Sequence, residues 1–146
     1  MTMQGITDGG AIPALEAMVQ FSGMRQRLIA NNVANLDTPG YTPVDADPRA
    51  FQAQIARALE TASSGGASKG DGLPLDSRGP LMRRADGSVG LNPNAMHENL
   101  LFHDGNDRNL ERIMQEVSEN LLAFRTATEL LRNRFRTIDL AIRERF

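Results

Sequence analysis

Two stretches of the chain carry helical spacing of apolar positions. From Pro13, a residue suited to a helix's first turn, Leu15, Met18, Val19, Ser22, Gln26, Ile29 and Val33 fall on one face, and Phe21, Met24 and Leu28 widen it. The pattern predicts a helix to about Asn35, because Pro39 holds Thr38 in extended geometry and cannot donate a backbone hydrogen bond. Near the other end Leu110, Met114, Val117, Leu121, Phe124, Thr128, Leu131, Phe135, Ile138 and Ile142 alternate steps of four and three, with only Thr128 polar. That is a heptad seam, and it predicts a coiled coil. A continuous helix from Asp107 to Phe146 would be roughly 60 Å long at ~1.5 Å per residue. It cannot bury its own seam. The N-terminal helix, about half as long, is the partner within the chain, which leaves the rest of the seam to neighbouring chains. The alternative is an ordinary helical bundle whose middle segment covers the seam.

Between these stretches the pattern is weaker. Asp45 to Glu60 places Phe51, Ile55 and Leu59 at steps of four, with Asp47 as a cap and Pro48 as first helical residue. Ser63 to Gly72, SSGGASKGDG, has too little apolar area to offset its ordering entropy and reads as a mobile loop. Onward to Gly105 the chain is rich in Gly, Pro and Asn, so extended pieces or a small hairpin fit there and a sheet is not expected. The expected fold is mainly α, with long N- and C-terminal helices pairing as a coiled coil around a short loop-rich middle. Three segments follow: 1–36 with the N-terminal helix, 37–106 with the turn, short helix and loops, and 107–146 with the heptad helix.

Composition narrows the function. A length of 146 residues suits one domain, and 40% hydrophobic content with 5% aromatic fits a core of aliphatic helix faces better than a compact enzyme. Without cysteine there is neither a disulfide framework nor a cysteine-ligated metal site. A formal net charge of -2 gives no bulk attraction to nucleic acid or anionic lipid. The N-terminus lacks a basic region and an apolar run, so no cleaved secretory signal is expected, and nothing elsewhere reaches membrane-spanning length. Any export would use another route.

Candidate chemistry is sparse. His97, Glu98, His103 and Asp104 form the one cluster with metal-ligand character, but the histidines are not at i and i+4 and no third strong ligand has a defined spacing. Two surface histidines in a loop explain it, and no catalytic residue, metal or cofactor is expected. Arg125, Arg132, Arg136 and Arg143 share one side of the C-terminal helix, with Arg134 and Arg145 nearby. Glu129, Asp139 and Glu144 dilute this charge and no aromatic residues interleave, so a solvated or intersubunit salt-bridged flank is expected rather than a nucleic-acid site.

The stretch ANNVANLDTPGY, Ala30 to Tyr41, sets Asn31, Asn32 and Asn35 at the end of the first helix, where the last carbonyls lack intrahelical donors. Asparagine amides can donate to those carbonyls and accept from a second chain. Thr38, Pro39, Gly40 and Tyr41 then form a tight turn, with Gly40 able to take a positive φ. This stretch resembles the signature of the bacterial flagellar rod, hook and hook-associated axial proteins, Ala-Asn-x-x-Thr-Pro-Gly-Tyr. DGNDRNLERIM, Asp104 to Met114, and ELLRNRFRTIDLAI, Glu129 to Ile142, are similar to the segments that lead into and form the C-terminal helix of proximal rod members. The chain departs from them at Arg108-Asn109, where an aliphatic and an acidic residue are more usual. The resemblance implies a structural protein without a catalytic site, located in the periplasmic rod of the flagellar basal body. It further implies export by the flagellar type III apparatus and helical stacking of paired terminal helices. The implied partners are copies of the chain, other rod proteins, a FliE-like adaptor and the membrane ring. On this reading Leu15 to Val33 and Leu110 to Ile142 pack, while Asn31, Asn32, Asn35, Thr38, Pro39, Gly40 and Tyr41 form the shared turn. A sister rod protein of the same family and a coiled-coil adaptor unrelated to flagella are the competing readings.

Overall fold

The structure, a computed structural model, describes residues 10–64, 72–95 and 110–144 and is mainly helical. The first helix, α1 (Ala11–Ala34), is followed by a two-residue strand β1 (Val44–Asp45) and a second helix α2 (Pro48–Ser63). Strands β2 (Leu81–Arg83), β3 (Val89–Leu91) and β4 (Asn94–Ala95) precede the long C-terminal helix α3 (Leu110–Arg143). The loop expected from Ser63 to Gly72 falls largely on residues 65–71, and His97, Glu98, His103 and Asp104 fall on 96–109; both stretches lie outside the described residues.

Pro13 sits in the first turn of α1, where its missing N–H forfeits nothing because the first four N–H groups of a helix have no intrahelical acceptor. The helix ends at Ala34, and Asn35 is its C-cap. In α2 the Asp47 carboxylate accepts the Arg49 N–H at 2.8 Å and Pro48 is the first helical residue, as the sequence pattern predicts. The helix runs to Ser63, past the last apolar position of that pattern.

α2 lies antiparallel along α1. Phe51 stacks on Phe21 with ring centroids 4.0 Å apart, and eight residues further on Leu59 abuts Gly10, at the start of α1. Any Cβ at Gly10 would come within 2.9 Å of the Leu59 side chain. The core is Ala14, Ala17 and Phe21 of α1, Ala46, Phe51, Ile55 and Ala58 around α2, and Leu73 and Leu81 from the middle segment. The buried stripe of α1 in this core is Ala14, Ala17 and Phe21. Val33, placed on the apolar face by periodicity, is 40% exposed.

Two small antiparallel ladders are present: β2–β3 is a small hairpin of the kind the middle stretch allows, and β1–β4 adds a pairing not expected from the sequence. β2 pairs β3 with Leu81 opposite Leu91, and β1 pairs β4 with Val44 opposite Ala95. Each strand is two or three residues long, too short for alternation to register in the sequence. The hairpin is fastened by a side chain. Gln54 of α2, 1% exposed, accepts the Leu81 N–H at 3.2 Å and donates to the carbonyls of Leu81 at 2.6 Å and Asp76 at 2.9 Å. Its amide therefore pairs both backbone groups of Leu81 as a neighbouring strand would. Glycine is required at position 79, since any Cβ there would collide with the Gln54 amide.

α3 packs beside α1. With 34 residues against 24, it outreaches α1 by about 15 Å at 1.5 Å per residue.

Candidate assembly site

The turn after α1 gives each asparagine a separate task. Asn35 Nδ2 donates to the Asn31 carbonyl at 2.8 Å, which also accepts the Asn35 backbone N–H at 3.1 Å. Asn32, 4% exposed, donates through Nδ2 to the Val44 carbonyl at 2.9 Å, and its Oδ1 accepts the Val44 N–H at 3.2 Å. The same Oδ1 accepts the Tyr41 hydroxyl at 2.9 Å, while Asn31 Nδ2 donates to that hydroxyl oxygen at 3.0 Å. The acceptor expected to face a second chain is thus engaged within this one at Asn32. The Tyr41 N–H returns to the Thr38 carbonyl at 3.2 Å across Pro39 and Gly40, whose φ is 73°. Proline followed by a residue of positive φ is a type II turn, and this turn delivers Tyr41 and Val44 back onto the helix end.

About two turns of helix back from Asn32, Arg25 completes the fastening. It is 5% exposed and grips Asp45 bidentately, Nε to Oδ1 at 2.9 Å and Nη2 to Oδ2 at 2.6 Å. Planar guanidinium and carboxylate geometry makes this a strong, orienting pair. Asn32 and Arg25 together pin neighbouring residues Val44 and Asp45 to α1. Sequence periodicity missed Arg25 because a charged residue on a helix reads as solvated.

The second part of the site is α3. Of the expected seam, Val117, Phe124, Thr128 and Leu131 are half-buried, whereas Leu110, Met114, Leu121, Phe135, Ile138 and Ile142 are exposed. The most buried residues of this helix are Asn120 and Ala127, at 3% and 0% exposure. With the half-buried Ile113, Val117, Phe124 and Leu131 they form a second heptad series, and this is the one turned toward α1. Gly23 of α1 faces Phe124, whose ring lies 3.8 Å from where a Cβ would stand, an ordinary van der Waals distance. Beyond Leu131 every described residue of α3 is exposed. All but one of the large exposed apolar side chains among the described residues are on α3, the exception being Val33. Leu122, Leu130 and Leu140 extend this surface outside the seam.

Polar features of α3 are local. Arg112 pairs with Glu116 at 3.1 Å, Arg132 with Glu129 at 3.6 Å and Arg143 with Asp139 at 3.1 Å, each three or four residues apart. The last two pairs are exposed and contribute little. Arg125, Arg134 and Arg136 are exposed, and Arg145 lies outside the described residues. Among the described residues there is no group of three or more His, Asp or Glu able to hold a metal, and no helix is long and apolar enough to cross a membrane.

A long helix with an uncovered apolar strip thus packs on a shorter one whose end carries the asparagine turn. A family model described as flagella basal body rod protein matches residues 16–42, which hold most of α1 and the whole turn. The flagellar basal body rod protein FlgB of Borrelia hermsii is 26% identical over 124 residues, covering 82% of this chain and 86% of that protein. These matches support a structural protein of the flagellar basal body rod. Within that class they support a FlgB-like protein.

Proposed function

We propose that the chain is a subunit of the proximal rod, stacking helically with copies of itself and with other rod proteins through α1 and α3. The observation that carries this reading is the apolar strip of Leu110, Met114, Leu121, Phe135, Ile138 and Ile142, between 37% and 55% exposed on one helix. Covering such side chains is worth on the order of 1 kcal/mol each, enough in sum to drive association once neighbouring helices are aligned. The turn of Asn31, Asn32, Asn35, Thr38, Pro39, Gly40 and Tyr41 then serves to hold the returning chain clear of α3. A FliE-like adaptor and the membrane ring are the partners at the base, the periplasm is the place, and the flagellar export apparatus is the route.

Electron microscopy of envelopes from a strain lacking the gene tests this reading, beside the same strain complemented with the wild type or with Leu121→Asp. Membrane rings without rods, restored by the wild type and not by the variant, are expected. Complete basal bodies in the deletion strain would overturn a rod function, and full rescue by Leu121→Asp would overturn the role of the strip.

A further inference from the structure

α3 carries two overlapping heptad series that share Val117, Phe124 and Leu131. One adds Leu110, Met114, Leu121, Thr128 and Phe135; the other adds Ile113, Asn120 and Ala127. At 100° per residue the two faces are turned from each other by roughly 50°. By apolar content the first series is the better partner for α1. The structure presents the second, so that Asn120 is 3% exposed while its neighbour Leu121 is 39% exposed. Something other than hydrophobic burial selects the phase of the helix.

We infer that Asn120 sets the rotational phase of α3 on α1 and thereby reserves the more apolar series for a neighbouring subunit. Its Nδ2 donates to the Ser22 carbonyl at 2.9 Å and to Gln26 Oε1 at 2.8 Å, both on α1. The Ser22 carbonyl belongs to the helix backbone, so this bond fixes an angle and a height rather than following a mobile side chain. If α3 turned to bring Leu121 inward, the amide would be drawn away from both acceptors, and a polar group left unmatched at the edge of a helix interface is costly. Ala127, 0% exposed one heptad later, permits the close approach that this phase needs. Asn120 is a positioning residue. A single buried asparagine is known to fix register in helix pairs at some expense of stability. That the freed series meets another subunit rests on the proposed rod function; the phase itself does not.

The chain has no cysteine, so single cysteines report the phase cleanly. Leu121→Cys and Ala127→Cys are made separately in the full chain, each with and without Asn120→Leu, and maleimide labelling rates are compared with helicity and thermal midpoint. With Asn120 present, Cys at 121 should label at least tenfold faster than Cys at 127. Asn120→Leu should bring the two rates to within about threefold while the thermal midpoint stays level or rises, because an apolar residue replaces a polar one in the seam. An unchanged labelling ratio in the folded variant would overturn the inference. So would a lowered midpoint or loss of helix on Asn120→Leu, since the amide would then be a plain stabilising contact. Neither readout depends on rods, so failure here leaves the proposed function standing, and absence of a rod phenotype leaves the phase measurement intact.

Discussion

At the scale of single residues, the fold relies on side-chain amides that stand in for strands. Asn32 binds the N–H and carbonyl of Val44, and Gln54 does the same for Leu81. Asn32→Asp keeps the shape but replaces the donor with a second acceptor opposite the Val44 carbonyl, and should cost about 1–3 kcal/mol by chemical denaturation. An unchanged denaturation midpoint would show that Asn32 is dispensable. Gly40, with φ at 73° and open space around its Cα, is constrained by backbone alone. Gly40→Val should therefore lose about 1–2 kcal/mol and Gly40→Asn distinctly less, since asparagine tolerates the left-handed region; equal losses would point to a packing effect. At the hairpin, hydrogen bonds from the Ser88 hydroxyl and then the Ser88 N–H hold the Asp86 carboxyl below its usual value. A lowered folded value means stability contributed above the unfolded value and lost as pH falls through the folded one. The Asp86 midpoint followed by NMR should rise in Ser88→Ala. The turn was legible in part: Thr38, Pro39 and Gly40 announce it by chain geometry, but no periodicity says which asparagine faces inward or that Arg25 would pair with Asp45.

At the scale of elements, helix existence was legible and helix orientation was not. Pro13, Asp47 and Pro48 mark where α1 and α2 begin because they act through local geometry. The seam of α3 was visible because seven-residue repetition accumulates over 34 residues. Which flank of that seam meets α1 depends on Asn120, whose partners Ser22 and Gln26 are more than ninety residues away in sequence. Ala127 was likewise invisible, since alanine adds little to a hydrophobic pattern, yet it is the most buried residue of α3. The two flanks should respond differently to the same charge. Ala127→Asp puts an unpaired carboxylate into a fully buried site and should cost at least about 3 kcal/mol, melting the α1–α3 contact in circular dichroism. Phe135→Asp, at a position 50% exposed, should leave that melting curve within about 0.5 kcal/mol of wild type. Equal destabilisation would mean that α3 turns a different face to α1.

At the scale of the whole molecule, the chain is two unequal parts. α1, α2 and the hairpin share one core, built on Phe21 and Phe51, and α1 lends its other side to the first two-thirds of α3. Among the described residues nothing covers the remainder of α3: from Arg132 to Glu144 each is exposed, Phe135, Ile138, Leu140 and Ile142 among them. Apolar surface of this kind contributes nothing to the isolated fold and gains its free energy only on contact with another chain. Stability and assembly should therefore separate on truncation. A chain ending at Leu131 retains Asn120, Phe124, Ala127 and all of α1, so its thermal midpoint should stay within a few degrees of the full chain. It should also remain monomeric by analytical ultracentrifugation at concentrations where the full chain associates. A truncated chain that unfolds would place the C-terminal segment inside the fold, and one that still associates would move the contact surface to Met114, Leu121 and Leu122.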